Sequence, residues 1–457
     1  MDLRYTRTHK ECLMMHQFEE INAAPMMTLN NRATSGDALK CARDIASTLQ
    51  LNEQRARKRK AKDQRMYELA IELIIGDLFC NYTKPAAGWV YRSLSRDSFS
   101  DEIVGYKTFK QVILQFQQAG LIEVWRGGNV KNNFYEEGKS SPYHPGLASR
   151  FRASEKLIKL ASDRGLTFNN AKQHFVTQLP RRALLLKAAK KTRSYGRKDA
   201  GRQLKFDKSE QTLALEQQVQ EINQYLFSQN LQKGLFAGYV RRFSEGDHPK
   251  FKWDRGGRLY AVGNDSYQLM KKRKRVSMLL NGEPVAEIDI SASYLTMLHA
   301  LYNVPLPSRV DLYRIKGISR DIVKSFVTAT IGNDKFHNRW PVTLSRELQS
   351  KGYDLRKIRM LDVQKRVCAA LPVLKLWSEA PISWSRLMYL ESEQLINTII
   401  ELREKHDIPS YSVHDSIIIP QKEVELAAHI LKSKFEAKYR IKYRLKANLS
   451  NGRLVAF

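Results

Sequence analysis

Apolar positions along the chain change period several times, and each change marks an element. Met66, Leu69, Ala70, Leu73 and Ile74 recur at helical spacing, which predicts a helix over 66–75. Phe109, Val112, Ile113 and Phe116 do the same over 108–119, and Gly120 suits a left-handed C-terminal residue. Residues 121–126 then alternate as a strand, and Gly127, Gly128 and Asn129 turn it. Residues 151–250 read as mostly helical, with a basic amphipathic helix over 181–191, a linker over 194–202 and a further helix over 213–231. The β-branched run 285–290 predicts a strand that carries Glu287 and Asp289. Residues 411–419 read as a hairpin with Asp415 at its turn, and 318–331 has helical spacing. Residues 1–62 show no clear period and end in a basic run over 55–62, the usual form of a solvated arm or helix face.

Composition narrows the class. A chain of 457 residues is long enough for two or three cores, and 42% hydrophobic and 10% aromatic residues describe a globular protein. The net charge of +30 favours a polyanionic partner, nucleic acid first among them. Cys12, Cys41, Cys80 and Cys368 form no CxxC pair, so no zinc site is expected, and their scatter fits a reducing compartment. The N-terminus lacks the pattern of a secretory signal, and no apolar run reaches membrane-spanning length. The expected location is the cytoplasm, at the nucleoid if the host is bacterial, with no membrane partner.

The expected fold class is α+β, in four segments: a basic arm over 1–64, a mostly helical DNA-binding module over 65–150, a helical region over 151–250 and a catalytic region over 251–457. Helix, glycine, strand and basic turn in the second segment resemble the recognition helix and wing of a winged helix-turn-helix domain. Lys107, Lys110, Arg126 and Lys131 would then face DNA. A small helical domain with a solvated basic face fits the same pattern.

Asp289 and Asp415 carry the candidate chemistry. Each lies at a strand-like edge, and two carboxylates brought side by side could hold two magnesium ions. Between them, Arg320 and Lys324 lie four positions apart and share one helical face, where two cations suit a triphosphate. Taken singly, each feature has a plain reading: a strand-end cap for the aspartates and a surface ion-pair ladder for the cations.

Together these segments resemble the single-subunit polymerases, the group that joins family A DNA polymerases to phage-type and mitochondrial RNA polymerases. Asp289, Ser291 and Ser293 match the Asp-x-Ser-x-Ser of motif A. Arg320 and Lys324 match motif B, and His414, Asp415 and Ser416 match motif C in its RNA-polymerase-like spelling. The stretch 253–262 is similar to a template-holding segment of phage-type enzymes. The resemblance covers residues 251–457. It implies a right-hand fold of palm, fingers and thumb, with 151–250 as a thumb-like region. It assigns two Mg2+ ions, or Mn2+ in their place, to Asp289, Asp415 and the carbonyl of Ile290. It assigns triphosphate contact to Arg320 and Lys324, the primer terminus to His414 and nucleic-acid backbone to Arg258.

Two departures bear on the product. Motif B ordinarily continues to a Tyr-Gly pair, whereas 328–333 holds no tyrosine and ends in Ile331, Gly332 and Asn333. Tyr294 stands five residues after Asp289, where DNA polymerases of this superfamily carry a bulky sugar gate and phage-type RNA polymerases carry glycine. The expectation is a compact DNA polymerase without proofreading. It would extend a primer on a DNA template with dNTPs, for replication of a plasmid, phage or mobile element. The alternatives are a single-subunit RNA polymerase or primase-like enzyme using rNTPs, with Tyr294 as a packing residue, and a non-catalytic binding protein on a degenerate polymerase scaffold.

Overall fold

The computed structural model describes residues 20–53, 57–99, 102–127, 148–190, 201–263, 266–308, 311–379 and 381–457. The fold is mixed α and β and divides into two compact units, Met1–Arg182 with Val262–Asp265, and Ala183–Ala261 with Ser266–Phe457. Lys131 lies outside the described residues, as does most of the basic turn after residue 127.

The first unit contains β1 (Asn31–Ala33), α1 (Gly36–Leu51), α2 (Ala61–Cys80), β2 (Val90–Arg92), α3 (Tyr106–Gln118), β3 (Ile122–Trp125), β4 (Ser149–Ala153), α4 (Glu155–Ser162), α5 (Ala171–His174) and β5 (Phe175–Thr177). The expected arm over 1–64 is corrected here. Ser35 caps α1 by accepting the Ala38 N–H at 3.1 Å, and Ala38, Cys41, Ala42, Ile45, Ala46 and Leu49 are buried. That face is helical in period, but half of it is alanine, so its contrast with the exposed face is weak. β4 lies between β2 and β3 in an antiparallel sheet, with Val124 opposite Phe151. Gly120, at φ +68°, ends the turn after α3 as expected and leads into β3. β5 pairs with β1, so the unit continues well past residue 150.

Inside this unit, Asp77 of α2 accepts the Leu29 N–H at 2.6 Å and the Asn31 amide at 2.7 Å. Burial dominates these bonds and pushes its pKa from 3.8 to about 6. A carboxyl raised on folding contributes stability that is present below the unfolded value and lost as pH rises through about 6. Asp77→Asn should therefore gain stability relative to wild type as pH is raised across that window. Denaturation curves that stay parallel at every pH would remove Asp77 as the cause.

The second unit contains β6 (Leu184–Lys187), β7 (Gln203–Leu204), α6 (Glu210–Phe227), β8 (Leu231–Gln232), β9 (Tyr239–Phe243), β10 (Gly256–Ala261), α7 (Lys272–Arg275), β11 (Leu279–Leu280), β12 (Glu283–Ile290), α8 (Ser293–Leu301), α9 (Arg320–Gly332), α10 (Val342–Ser350), α11 (Met360–Ala370), α12 (Val373–Glu379), α13 (Trp384–His406), β13 (Tyr411–Val413), β14 (Ser416–Pro420), α14 (Val424–Tyr439), β15 (Leu445–Asn448) and β16 (Leu454–Ala456). The helix expected over 181–191 is instead β6. Its leucines favour helix locally, but Leu184 and Leu186 are buried with Leu185 less so, a period of two fixed by parallel pairing with β9. Among the described residues, 151–250 holds five whole strands and the end of β4 besides its helices, so the mostly helical expectation is corrected too.

The principal sheet runs β13-β14-β12-β11-β8, and β15 flanks β12 on its other side and pairs with β16. β12 is its central strand. Val285, Ala286, Glu287, Ile288 and Ile290 are buried in succession, as expected of a strand covered on both faces. The charge this buries is matched: Arg275 grips the Glu287 carboxylate through Nε at 2.9 Å and Nη2 at 2.7 Å.

Candidate catalytic edge

β12 and the β13–β14 hairpin bring the two aspartates together. Asp289 is paired across the sheet with Ser416 of β14, and the residue before Ser416 is Asp415. Val413 pairs with Ser416, so His414 and Asp415 form a two-residue turn, with His414 at φ +55°. On the other side Asp289 pairs with Lys446 of β15. Both carboxylates therefore sit at one end of neighbouring strands, as the sequence required if they were to act together.

Their surroundings are charged. The Lys272 ammonium of α7 forms an ion pair with Asp289 Oδ2, and the Asn448 amide donates to the same oxygen at 3.2 Å. Burial raises the Asp289 pKa; Lys272 pulls it down, and the Glu287 and Asp415 charges push it back up. His414 is exposed at the turn, 6.4 Å ring to ring from Tyr260. Burial of part of its imidazole, together with the nearby Arg258 charge, lowers its pKa and keeps it neutral near pH 7.

Beyond β12 the chain turns through Ala292, at φ +50°, into α8, which places Tyr294 in the first helical turn. Its hydroxyl accepts from Arg258 Nη2 at 3.0 Å. Arg258 was expected to touch nucleic-acid backbone. Its head meets the Tyr294 hydroxyl and forms an ion pair with Glu391 of α13. Gly256 and Gly257, at φ +78° and +73°, form a bulge between β10 and β9 that precedes Arg258. A Cβ at Gly256 would meet Ser244 Oγ at 2.8 Å, so the glycine is required there.

Arg320 and Lys324 begin α9 and are both exposed. Arg320 Nε donates to Asp311 Oδ2 at 2.6 Å, and its guanidinium lies 5.6 Å from the Tyr313 ring. Burial would raise the Asp311 pKa, but Arg320, the Tyr313 N–H and the charge of Lys446 lower it. Burial pushes the Tyr313 hydroxyl up to about 12; among the charges acting on it are Arg320 and Asp415. The start of α9 thus lies within electrostatic reach of the carboxylate edge. Its far end carries buried Thr330 and Ile331 and exposed Gly332, with no aromatic ring there. Lys107 and Lys110 of α3 and Arg126 beyond β3 are exposed on the first unit.

Sequence reasoning missed Lys272, Tyr313, Glu391, Lys446 and Asn448. Glu391 left a signal: it sits four residues after Leu387 and four before Leu395, a carboxylate within an apolar helical stripe. Lys272 lies in a run of cations, Tyr313 outside any helix or strand, and Lys446 and Asn448 on the short strand β15, and none of these was singled out.

The donor set suits magnesium. Two carboxylates and a main-chain carbonyl are hard oxygen donors, although no group of three or more His, Cys, Asp or Glu that could hold a metal occurs among the described residues. An ion held by two carboxylates and a carbonyl takes its other ligands from water and substrate phosphate, which is the habit of magnesium. No protein-family model and no curated protein matches the chain. Among the described residues no helix is long and apolar enough to cross a membrane.

Proposed function

We propose that the protein is a template-directed nucleotidyl transferase, a DNA polymerase of the single-subunit type without proofreading, whose second unit supplies a palm and fingers. The observation that carries this reading is the register of Asp289 with Ser416, which sets Asp289 beside Asp415 at one sheet end. Lys324 and Arg320 on a nearby helix supply the cations that a triphosphate needs. Asp289, Asp415 and the Ile290 carbonyl would hold two magnesium ions, or manganese in their place. Magnesium, when bound, supplies activation of the primer hydroxyl and neutralisation of phosphate charge. Tyr294 would bound the sugar pocket, and His414 would lie at the primer terminus. In the first unit, α3, Gly120, β3 and the exposed Lys107, Lys110 and Arg126 support a winged-helix-like DNA contact, of the kind that suits replication of a plasmid, phage or mobile element.

A second reading, RNA synthesis, is favoured by the missing aromatic at the end of α9 and by the His-Asp-Ser turn. Extension of a labelled primed DNA template with magnesium separates the two. Growth with dNTPs and not rNTPs is expected. Growth with rNTPs would make Tyr294 a packing residue, and no growth in a protein that still binds DNA would favour a degenerate scaffold.

A further inference from the structure

Resting on the polymerase reading, we infer that the buried Arg258–Glu391 ion pair is a positioning element that pins Tyr294 and thereby sets the discrimination between deoxyribo- and ribonucleotides. Bulk alone does not make a gate. Tyr294 stands in the first turn of α8 and is only partly covered, so its ring needs a fixed rotamer to exclude a single hydroxyl group. The hydroxyl supplies the anchor point. One guanidinium nitrogen, Arg258 Nη2, donates both to the Tyr294 hydroxyl at 3.0 Å and to Glu391 Oε2.

The anchor itself is rigid. Glu391 is 1% exposed and lies on the 23-residue helix α13; Arg258 is 15% exposed and follows the glycine bulge of β10. The Arg258 Nε–H is buried and meets no acceptor among the described residues, so Tyr294 and Glu391 carry the orientation of the guanidinium. The network borders the reacting edge and is not a remote core contact. The Asp415 charge acts on Arg258, Glu391 and Tyr294 alike. A buried pair is also unforgiving: with one partner neutralised, the other charge is left in a poorly solvated site and moves.

The test is single-nucleotide addition to a primed template, comparing kcat/KM for a dNTP and the matching rNTP. Wild type, Tyr294→Phe and Glu391→Gln are measured together, with melting curves for each. Tyr294→Phe keeps the ring and deletes the anchored oxygen; Glu391→Gln keeps the shape and deletes the charge that holds Arg258. Both are expected to lower the dNTP-to-rNTP ratio by about tenfold or more, mainly through a lower KM for the rNTP. An unchanged ratio in Tyr294→Phe, in a wild type that prefers dNTPs, overturns the inference and leaves the polymerase reading standing. If Glu391→Gln fails to fold, Tyr294→Phe decides alone. A wild type that uses both sugars equally overturns the gate, and one that adds no nucleotide overturns the polymerase reading itself.

Discussion

Asp289→Asn and Asp415→Asn should each lower primer extension by at least about 10³-fold while leaving duplex binding near wild type. The expectation follows from the proposed function and from the sheet register, which sets both residues at one edge. Neither substitution changes the length or shape of the side chain, so the strands should still pair. The stability readout separates chemistry from packing. Asp289 has a raised pKa, so its ionised form weakens the fold as pH rises through that value, and Asn carries no such burden. Its ion pair with Lys272 is half-exposed and contributes little in return. Asp289→Asn should therefore melt no lower than wild type at neutral pH. Lost extension together with a clearly lower melting temperature would recast Asp289 as a structural residue, and extension that persists would remove both aspartates from catalysis.

Lys324→Ala should lower kcat/KM for the incoming nucleotide by about 10²-fold, with little change in affinity for primed DNA. The triphosphate gathers charge on its leaving group, and a cation fixed on a helix meets that charge without reorganising. Both cations are exposed, but Arg320 is tied to Asp311 at 2.6 Å. Arg320→Ala should thus cost less than Lys324→Ala, because part of its charge is already matched. Steady-state kinetics over a range of dNTP concentrations measures both. A loss in DNA affinity equal to the loss in nucleotide use would reassign Lys324 to the nucleic-acid backbone.

Helices 66–75 and 108–119 were legible because their large apolar residues repeat at helical spacing; the first falls within α2, and the second matches α3 but for Ala119, which caps it. Helix α1 was not, because half of its buried face is alanine, which adds little hydrophobic contrast. β6 was misread for the opposite reason: leucine is a good helix former, and only pairing with β9 makes Leu184 and Leu186 a strand face. Arg258 shows the same limit at the candidate site. The resemblance implied a nucleic-acid contact for Arg258, and nothing local says that Glu391, far along the chain, pairs with it.

By itself the sequence determined the local pieces: an acidic β-branched strand, a hairpin with Asp415 at its turn, a helix with two cations on one face, and a net charge of +30. Those are consequences of period and of side-chain chemistry, which act over a few residues. Tertiary structure decided which pieces meet. Register set Asp289 opposite Ser416, strand pairing put Lys446 on the other side, and burial joined Arg258, Glu391 and Tyr294. Pairing between distant strands and the matching of buried charges depend on which surfaces are removed from water together, and no local pattern encodes that.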